Sequence, residues 1–395
     1  MPWVILGRVL RGEPGAAAAA GAVGAQEQHA VALDLNAPAE AEDAAAADEP
    51  HFITSPILMP PGVTILAAGR GAHPNADAPD RFPYIIATSP FCLLAHFAIA
   101  PSYGTNFGDN PRHTRLVLVR NFHTAPGQIT ATAEEVPRRR SHDPRFRNIQ
   151  GVGLLSWRSN DGVVHTIIAE LQVGRVGDLF GAYIVRCRDG LWSRKMMASP
   201  LPLPAANREW VPHGAVSLNT TIFWFDLSWG MLSCDDLDVP GTQLVLRYHP
   251  LPGGHMLQQA TPDIHSWRCI TVTDNRLRFV DMVPAAGEAV PTVTMWTRII
   301  RQDGGGWARN YTMSFELIWD DDSYAATGLP REVPVLAAVS PSDDQIVCFA
   351  LEHNIFAVDV PMHRVVHRAP CNPVNLPGLQ LPASGRFLIP WTLPV

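Results

Sequence analysis

No Cys-x-x-Cys pair, no tight Cys/His spacing, no Gly-x-Ser-x-Gly and no glycine loop ending in Gly-Lys-Ser/Thr occurs in this sequence. The first two absences exclude the usual zinc frameworks, and the others exclude a nucleophile elbow and a phosphate loop. Six cysteines (Cys92, Cys187, Cys234, Cys269, Cys348 and Cys371) lie far apart, the pattern of buried free thiols in a reducing compartment rather than of a disulfide framework. The opening residues MPWVILGR carry no basic segment and too short an apolar run for a signal peptide, and no long uncharged apolar stretch predicts a membrane span. The expected location is therefore cytoplasmic, nuclear or both. Charge is sparse at 17%, and the net value of -7 with a pI near 6.1 argues against nucleic acid as a partner.

What is present is punctuation. Thirty-six prolines and 30 glycines divide a sequence that is 47% hydrophobic, which predicts many short elements around a large core. Residues 1–10 form an N-terminal segment expected to pack on the main domain. Residues 11–50 are an Ala-rich, low-complexity insert, mostly too poor in large apolar groups to offset the entropy of ordering, though HAVALDL within it could pair as a strand. Residues 51–395 read as one β domain.

Past residue 150 the same plan recurs. GVGLLSW, VVHTIIAELQV, GAYIVRC and LWSRKMM are joined by turns at Asp161-Gly162 and Arg188-Asp189-Gly190, a pair of hairpins in series. GAVSL, TIFWFDL, MLSCDDL and QLVLRYHPLP repeat it, as do RCITV, RLRFVDM, TVTMWTRII and WARNYTMSF, then VPVLAAVS, QIVCFAL, IFAVDV and RVVHRAP. Four-stranded meanders at this period predict an all-β propeller of antiparallel blades, about six with seven as the alternative; two stacked β-sandwiches are the competing architecture. YIIATSPFCLLAHFAIA, RLVLVRNF and QITATAEEV supply another blade, and FITSPILMPPGVTILAAG most of a further one. The lone final strand GRFLIPW is expected to complete a blade begun at the other end of the chain.

The run GAVSLNTTIFWFDLSWGMLSCDDL through LRYHPLP, RCITVTDNRLRFVDM and the Trp-bearing pair around GGGWARNYTM resembles the plant family catalogued as domain of unknown function 1618, abundant in grasses. The N-terminal WVILGRV, the late PVLAAVSPSDDQIVCFAL and the closing SGRFLIPWTLP are similar to its members as well, so the resemblance spans nearly the whole chain outside the insert. It implies a fold like F-box-associated and Kelch-type propellers and no established activity. No leucine-rich three-helix segment with an LPxDL-like start precedes the blades, so the role of ubiquitin-ligase adaptor is not implied.

The dense stretch 221–238 holds Cys234 beside Asp226, Asp235, Asp236 and Asp238, yet no glycine sits at the place a calcium loop requires and no distal glutamate follows at loop spacing. Asp226, Asp235 and Asp359 fall at strand ends, where a carboxylate caps a turn. Trp224, Trp229, Trp296, Trp307 and Trp319 are expected between blades, with sugar stacking as the alternative use. His363 and His367 stand four apart, but Pro361 and the strand-like RVV oppose a helix. No cofactor, metal ligand or catalytic residue is assigned.

The leading expectation is a non-catalytic interaction propeller that binds a protein through its loops 101–112, 134–149 and 252–266. Within the second loop, Arg138, Arg139, Arg140, His142, Arg145 and Arg147 form a candidate interaction segment. The alternatives are a hydrolase or oxidoreductase, marked by Asp, His or Tyr side chains converging at one mouth of the central channel with perturbed ionisation, and a carbohydrate-binding module.

Overall fold

A computed structural model of the chain describes residues 2–12, 51–68, 84–98, 114–125, 128–139, 146–176, 179–202, 208–239, 243–284, 290–299, 305–371 and 384–394. The N-terminal segment supplies β1 (Trp3–Gly7) and β2 (Arg11–Gly12), followed by β3 (His51–Pro56), β4 (Val63–Thr64) and β5 (Ala67–Ala68). Blade one is β6 (Tyr84–Thr88), β7 (Leu93–Ala98), β8 (Thr114–Ala125) and β9 (Gln128–Glu135). Blade two is β10 (Val152–Arg158), β11 (Val164–Val176), β12 (Leu179–Arg188) and β13 (Leu191–Ala198); blade three is β14 (Gly214–Leu218), β15 (Thr221–Asp226), β16 (Gly230–Cys234) and β17 (Leu246–Pro250). Blade four is β18 (Arg268–Thr273), β19 (Arg276–Pro284), β20 (Pro291–Ile299) and β21 (Gly306–Ser314); blade five is β22 (Val335–Val339), β23 (Ile346–Leu351), β24 (Asn354–Asp359) and β25 (Arg364–Pro370). Two short helices, α1 (Phe315–Trp319) and α2 (Asp322–Ala325), join these last two blades, and β26 (Leu388–Thr392) ends the fold.

The six-bladed propeller follows from how the first strands pack. β6, β10, β14, β18 and β22 lie successively side by side, and β26 takes the sixth place beside β22. The closing blade has the order β26-β1-β4, with Trp3 opposite Thr392 and Gly7 opposite Leu388, so the expected union of the two ends of the chain is present. The stretch FITSPILMPPGVTILAAG does not form a blade by itself. Its first strand, β3, instead adds antiparallel to β9 at the outer edge of blade one, where β5 and β2 extend the sheet to seven strands. The covered edge can no longer recruit a foreign strand. Residues 13–50, including HAVALDL, lie outside the described residues.

Each blade is apolar on both faces because each is sandwiched between two others, and the apolar side chains sort into one cluster per interface. In β15, Ile222 and Trp224 enter the cluster shared with blade two, while Phe223 and Phe225 enter the one shared with blade four. Successive strand residues point to opposite faces, so the aromatic density of TIFWFD is two cores interleaved on one strand. Five of the cysteines are buried and Cys269 is partly so, all six free. Asn219, Asp274, Asn275 and Asp189 adopt positive φ (54°, 49°, 55° and 49°) at hairpin turns, a conformation these short polar side chains tolerate.

Candidate axial binding site

Every first strand starts at the same end of the ring and every second strand returns to it. Residues preceding first strands and following second strands therefore share one face, here called the top. At this level three second strands carry a buried carboxylate: Glu170 lies opposite Val152, Asp281 opposite Arg268, and Asp226 one residue beyond the Gly214–Phe225 pair. Glu170 accepts from Arg139 Nη1 at 2.7 Å, Arg147 N at 2.8 Å and Gln172 Nε2 at 3.0 Å. Asp226 accepts from Val211 N (3.1 Å), Ser228 N (2.8 Å) and Ser228 Oγ (2.5 Å). Asp281 takes Arg268 Nε and Nη2, each at 3.2 Å, and His255 Nδ1 at 2.5 Å; Arg268 Nη1 also reaches Leu227 O at 3.0 Å, tying blade three to blade four. These carboxylates are fully engaged in holding the top of the ring.

Elsewhere the acidic residues cap and cross-link. Asp235 accepts from Thr221 Oγ1 at 2.6 Å and pairs with Arg247, and Asp359 Oδ1 accepts from Met362 N at 3.1 Å. Asp359 ends a third strand and so corresponds to Asp235, whereas Asp226 corresponds to Asp281. Among the described residues no group of three or more His, Cys, Asp or Glu could hold a metal ion. Burial pushes the thiols up, to about 11 for Cys187 and Cys234 and about 12 for Cys269 and Cys348, leaving them protonated and inert.

The interaction segment divides. Arg138 is exposed and 3.7 Å from Glu135. The Arg139 side chain is buried: its guanidinium is paired with Glu170 and lies 3.3 Å from the Phe146 ring centre and 4.5 Å from that of Trp192. Arg147 is exposed, with its backbone N–H on Glu170. Arg140, His142 and Arg145 lie outside the described residues, as does loop 101–112. Of the tryptophans, Trp224, Trp229 and Trp319 are buried and unable to stack on a ligand, while Trp296 and Trp307 are half-buried, with Trp307 Nε1 donating to Pro250 O at 2.8 Å. Trp319 sits in α1 rather than on a strand.

A different set of side chains meets over the ring axis. Gln150, in a 3-10 turn before blade two, lies with its Nε2 3.3 Å from His265 Nε2, in a 3-10 turn before blade four. Blades two and four are not neighbours, so this contact spans the top of the axis. The His213 ring, just before blade three, is 5.4 Å from that of His265. From the closing blade, Arg8 donates through Nη1 to Ile85 O (2.9 Å) and Ile86 O (3.1 Å) and lies 5.7 Å from the Tyr84 ring centre. Tyr84 in turn donates to Arg386 O. Five of the six blades thus feed one cluster.

Burial, then the charges of His213, Arg8 and Arg386, hold His265 well below the usual imidazole range; burial also lowers His213 against the pull of Asp226. His213 Nδ1 accepts from Leu227 N at 3.1 Å, which puts the proton of the neutral ring on Nε2, so the 3.6 Å approach to Asp226 is not a charged pair. Tyr84 is pushed up by burial despite Arg8 and Arg386.

This cluster has no local motif in the sequence, because its members are scattered along the chain. A signal was nevertheless there: aligned on their first strands, the repeats place Gln150, His213, His265 and Arg386 one to three residues before β10, β14, β18 and β26.

Fold and site define a six-bladed propeller with a polar, N–H-rich axial mouth. Residues 224–348 match the family described as protein of unknown function (DUF1618). The match runs from blade three into blade five. No curated protein matches the sequence. Similar solved structures include a Penicillium chrysogenum alpha-L-arabinanase complexed with arabinobiose (12% identity, 72% of this chain and 80% of that one, TM-score 0.35). A Fusarium graminearum GH93 alpha-L-arabinofuranosidase is 10% identical over 73% of this chain and 80% of its own, with TM-score 0.35. Citrobacter koseri AztD is 9% identical over 82% and 83%, with TM-score 0.31. None of the helices among the described residues is long and apolar enough to cross a membrane.

Proposed function

We propose that this chain is a non-catalytic recognition propeller that engages a protein partner across its top face. The observation that carries the reading is the engagement of Glu170, Asp226 and Asp281. The buried acids at the blade ends, where a general acid or base would be sought, are each saturated by structural donors. The protonated thiols point the same way. The approach to blade four, residues 252–266, offers Met256 to solvent at 58% exposure, a flexible apolar contact of the kind recognition surfaces use. The resemblance to F-box-associated and Kelch-type propellers fits such a role.

The test is cross-linking of the tagged full chain in native tissue, with mass spectrometry mapping the cross-links, against a variant carrying Gly and Ser at 252–262. Partners cross-linked to top-face residues and lost in the variant support the proposal. Partners mapping elsewhere, or none together with turnover in a substrate screen, overturn it.

A hydrolase or oxidoreductase reading draws on the meeting of His213, His265 and Tyr84 at one mouth. It requires turnover that disappears in His265→Gln, and a turnover indifferent to that change would remove it.

A further inference from the structure

The axial cluster shows an imbalance of donors over acceptors. His213 is 9% exposed, its Nδ1 is occupied by Leu227 N, and no acceptor for its Nε2–H is found among the described residues. His265 is 8% exposed; with Gln150 Nε2 donating to its Nε2, the ring proton lies on Nδ1, for which no acceptor is found among the described residues. Arg8 spends Nη1 on two carbonyls, its buried Nε–H has no hydrogen-bond partner, and no carboxylate pairs with it among the described residues. Arg386 adds a second cation close enough to act on both imidazoles. The acid beside His213, Asp226, is saturated by Val211 and Ser228.

We propose that the axial mouth binds an oxyanion, a carboxylate or phosphate group, held by the N–H groups of His213, His265 and Arg8. Neutral imidazoles suit this: each presents one fixed N–H without the cost of burying a third and fourth positive charge beside two arginines. The anion supplies the missing acceptors and the countercharge for Arg8, and charge-assisted N–H bonds of this kind are the strong class. Gln150 Oε1 stays available to a hydroxyl on the same group. The proposal rests on the top face being a binding face and names the chemistry it takes.

The test uses the full chain labelled at histidine, with imidazole NMR signals assigned through His213→Gln and His265→Gln. Sodium phosphate and sodium acetate are titrated against sodium chloride at equal ionic strength. Saturable shifts of both rings with phosphate, acetate or both, absent with chloride, are expected. Phosphate alone identifies a phosphate-bearing ligand, acetate alone a carboxylate-bearing one. His265 should gain its proton at higher pH once the anion is bound, since a negative neighbour favours imidazolium. Arg8→Gln should weaken binding at least about tenfold, the scale of one lost charge-assisted contact. Gln150→Glu, which places a carboxylate at the mouth and leaves the core untouched, should abolish it, and it decides the matter if Arg8→Gln fails to fold. Shifts equal to those in chloride, or undiminished binding in Gln150→Glu, overturn the site. Loss of the site with cross-linked top-face partners intact leaves the recognition reading standing; the converse leaves an anion site on a propeller with another use.

Discussion

Arg268 and Asp281 are 2% and 1% exposed, so neither charge can be removed without stranding the other in a medium that solvates it poorly. Asp281→Asn should cost about 3–5 kcal/mol, read from urea denaturation, whereas the paired change Arg268→Met with Asp281→Leu should recover most of the loss. Histidines give the molecule an acid limit. Burial holds His96 at about 3, and burial with Arg298 holds His249 at about 4, against 6.5 for the free ring. Such rings take up their proton only on unfolding, so stability falls as pH drops below 6.5. Each contributes about 1.4 kcal/mol per pH unit until its folded value is reached. Denaturation midpoints at about pH 7.5 and about pH 5 should differ accordingly, and His249→Gln should remove that ring's share; an unchanged slope would refute the assignment. Turn-capping by Asp359 was legible in the sequence because it is local. The roles of Arg8, His213 and His265 were not, because a site over an axis gathers one residue from each of several distant repeats.

At the level of elements, β10 to β25 fell where the sequence placed them, strand for strand. Two-sided burial writes the inner strands as aromatic or β-branched runs, and several of the turns between strands place Asn, Asp or Gly at positive φ, with Glu352 and His363 doing so in blade five. The segment around β3 to β5 was misjudged for a related reason: a short apolar run says that it pairs, but not with which edge. Close approaches were equally invisible. A Cβ at Gly230, the first residue of β16, would lie 2.6 Å from the backbone oxygen of His249 on β17. Gly230→Ala must separate these strands, and should cost about 1–3 kcal/mol in a thermal or urea melt. Trp391 of β26 is 3% exposed and donates Nε1 to Ser89 O at 2.9 Å, joining the closing blade to blade one. Trp391→Ala should cost about 3–5 kcal/mol by the same measurement.

Seen whole, the ring has six apolar interfaces, and they are unequal. The interface between blades four and five is rich in aromatics, with Phe315, Phe349 and Phe356, while that between blade five and the closing blade relies on Ala337, Ala338, Ala350, Ala357, Cys348 and Cys371 around Ile5 and Leu388. Removing residues 387–395 takes away the first strand of the closing blade. The truncated chain should lose its single cooperative melt, which calorimetry would register as a broad or absent transition. The pairing of Trp3 with Thr392, with Leu393 N on Pro2 O at 3.1 Å, brings the two outermost described ends of the chain together on the face opposite the axial mouth. A force applied to both ends would therefore load the β1–β26 ladder one rung at a time, in the manner of a zip fastener rather than of a lap joint. The molecule that closes as a ring should yield mechanically at low tension from this one seam, with the other blades following only after it has parted.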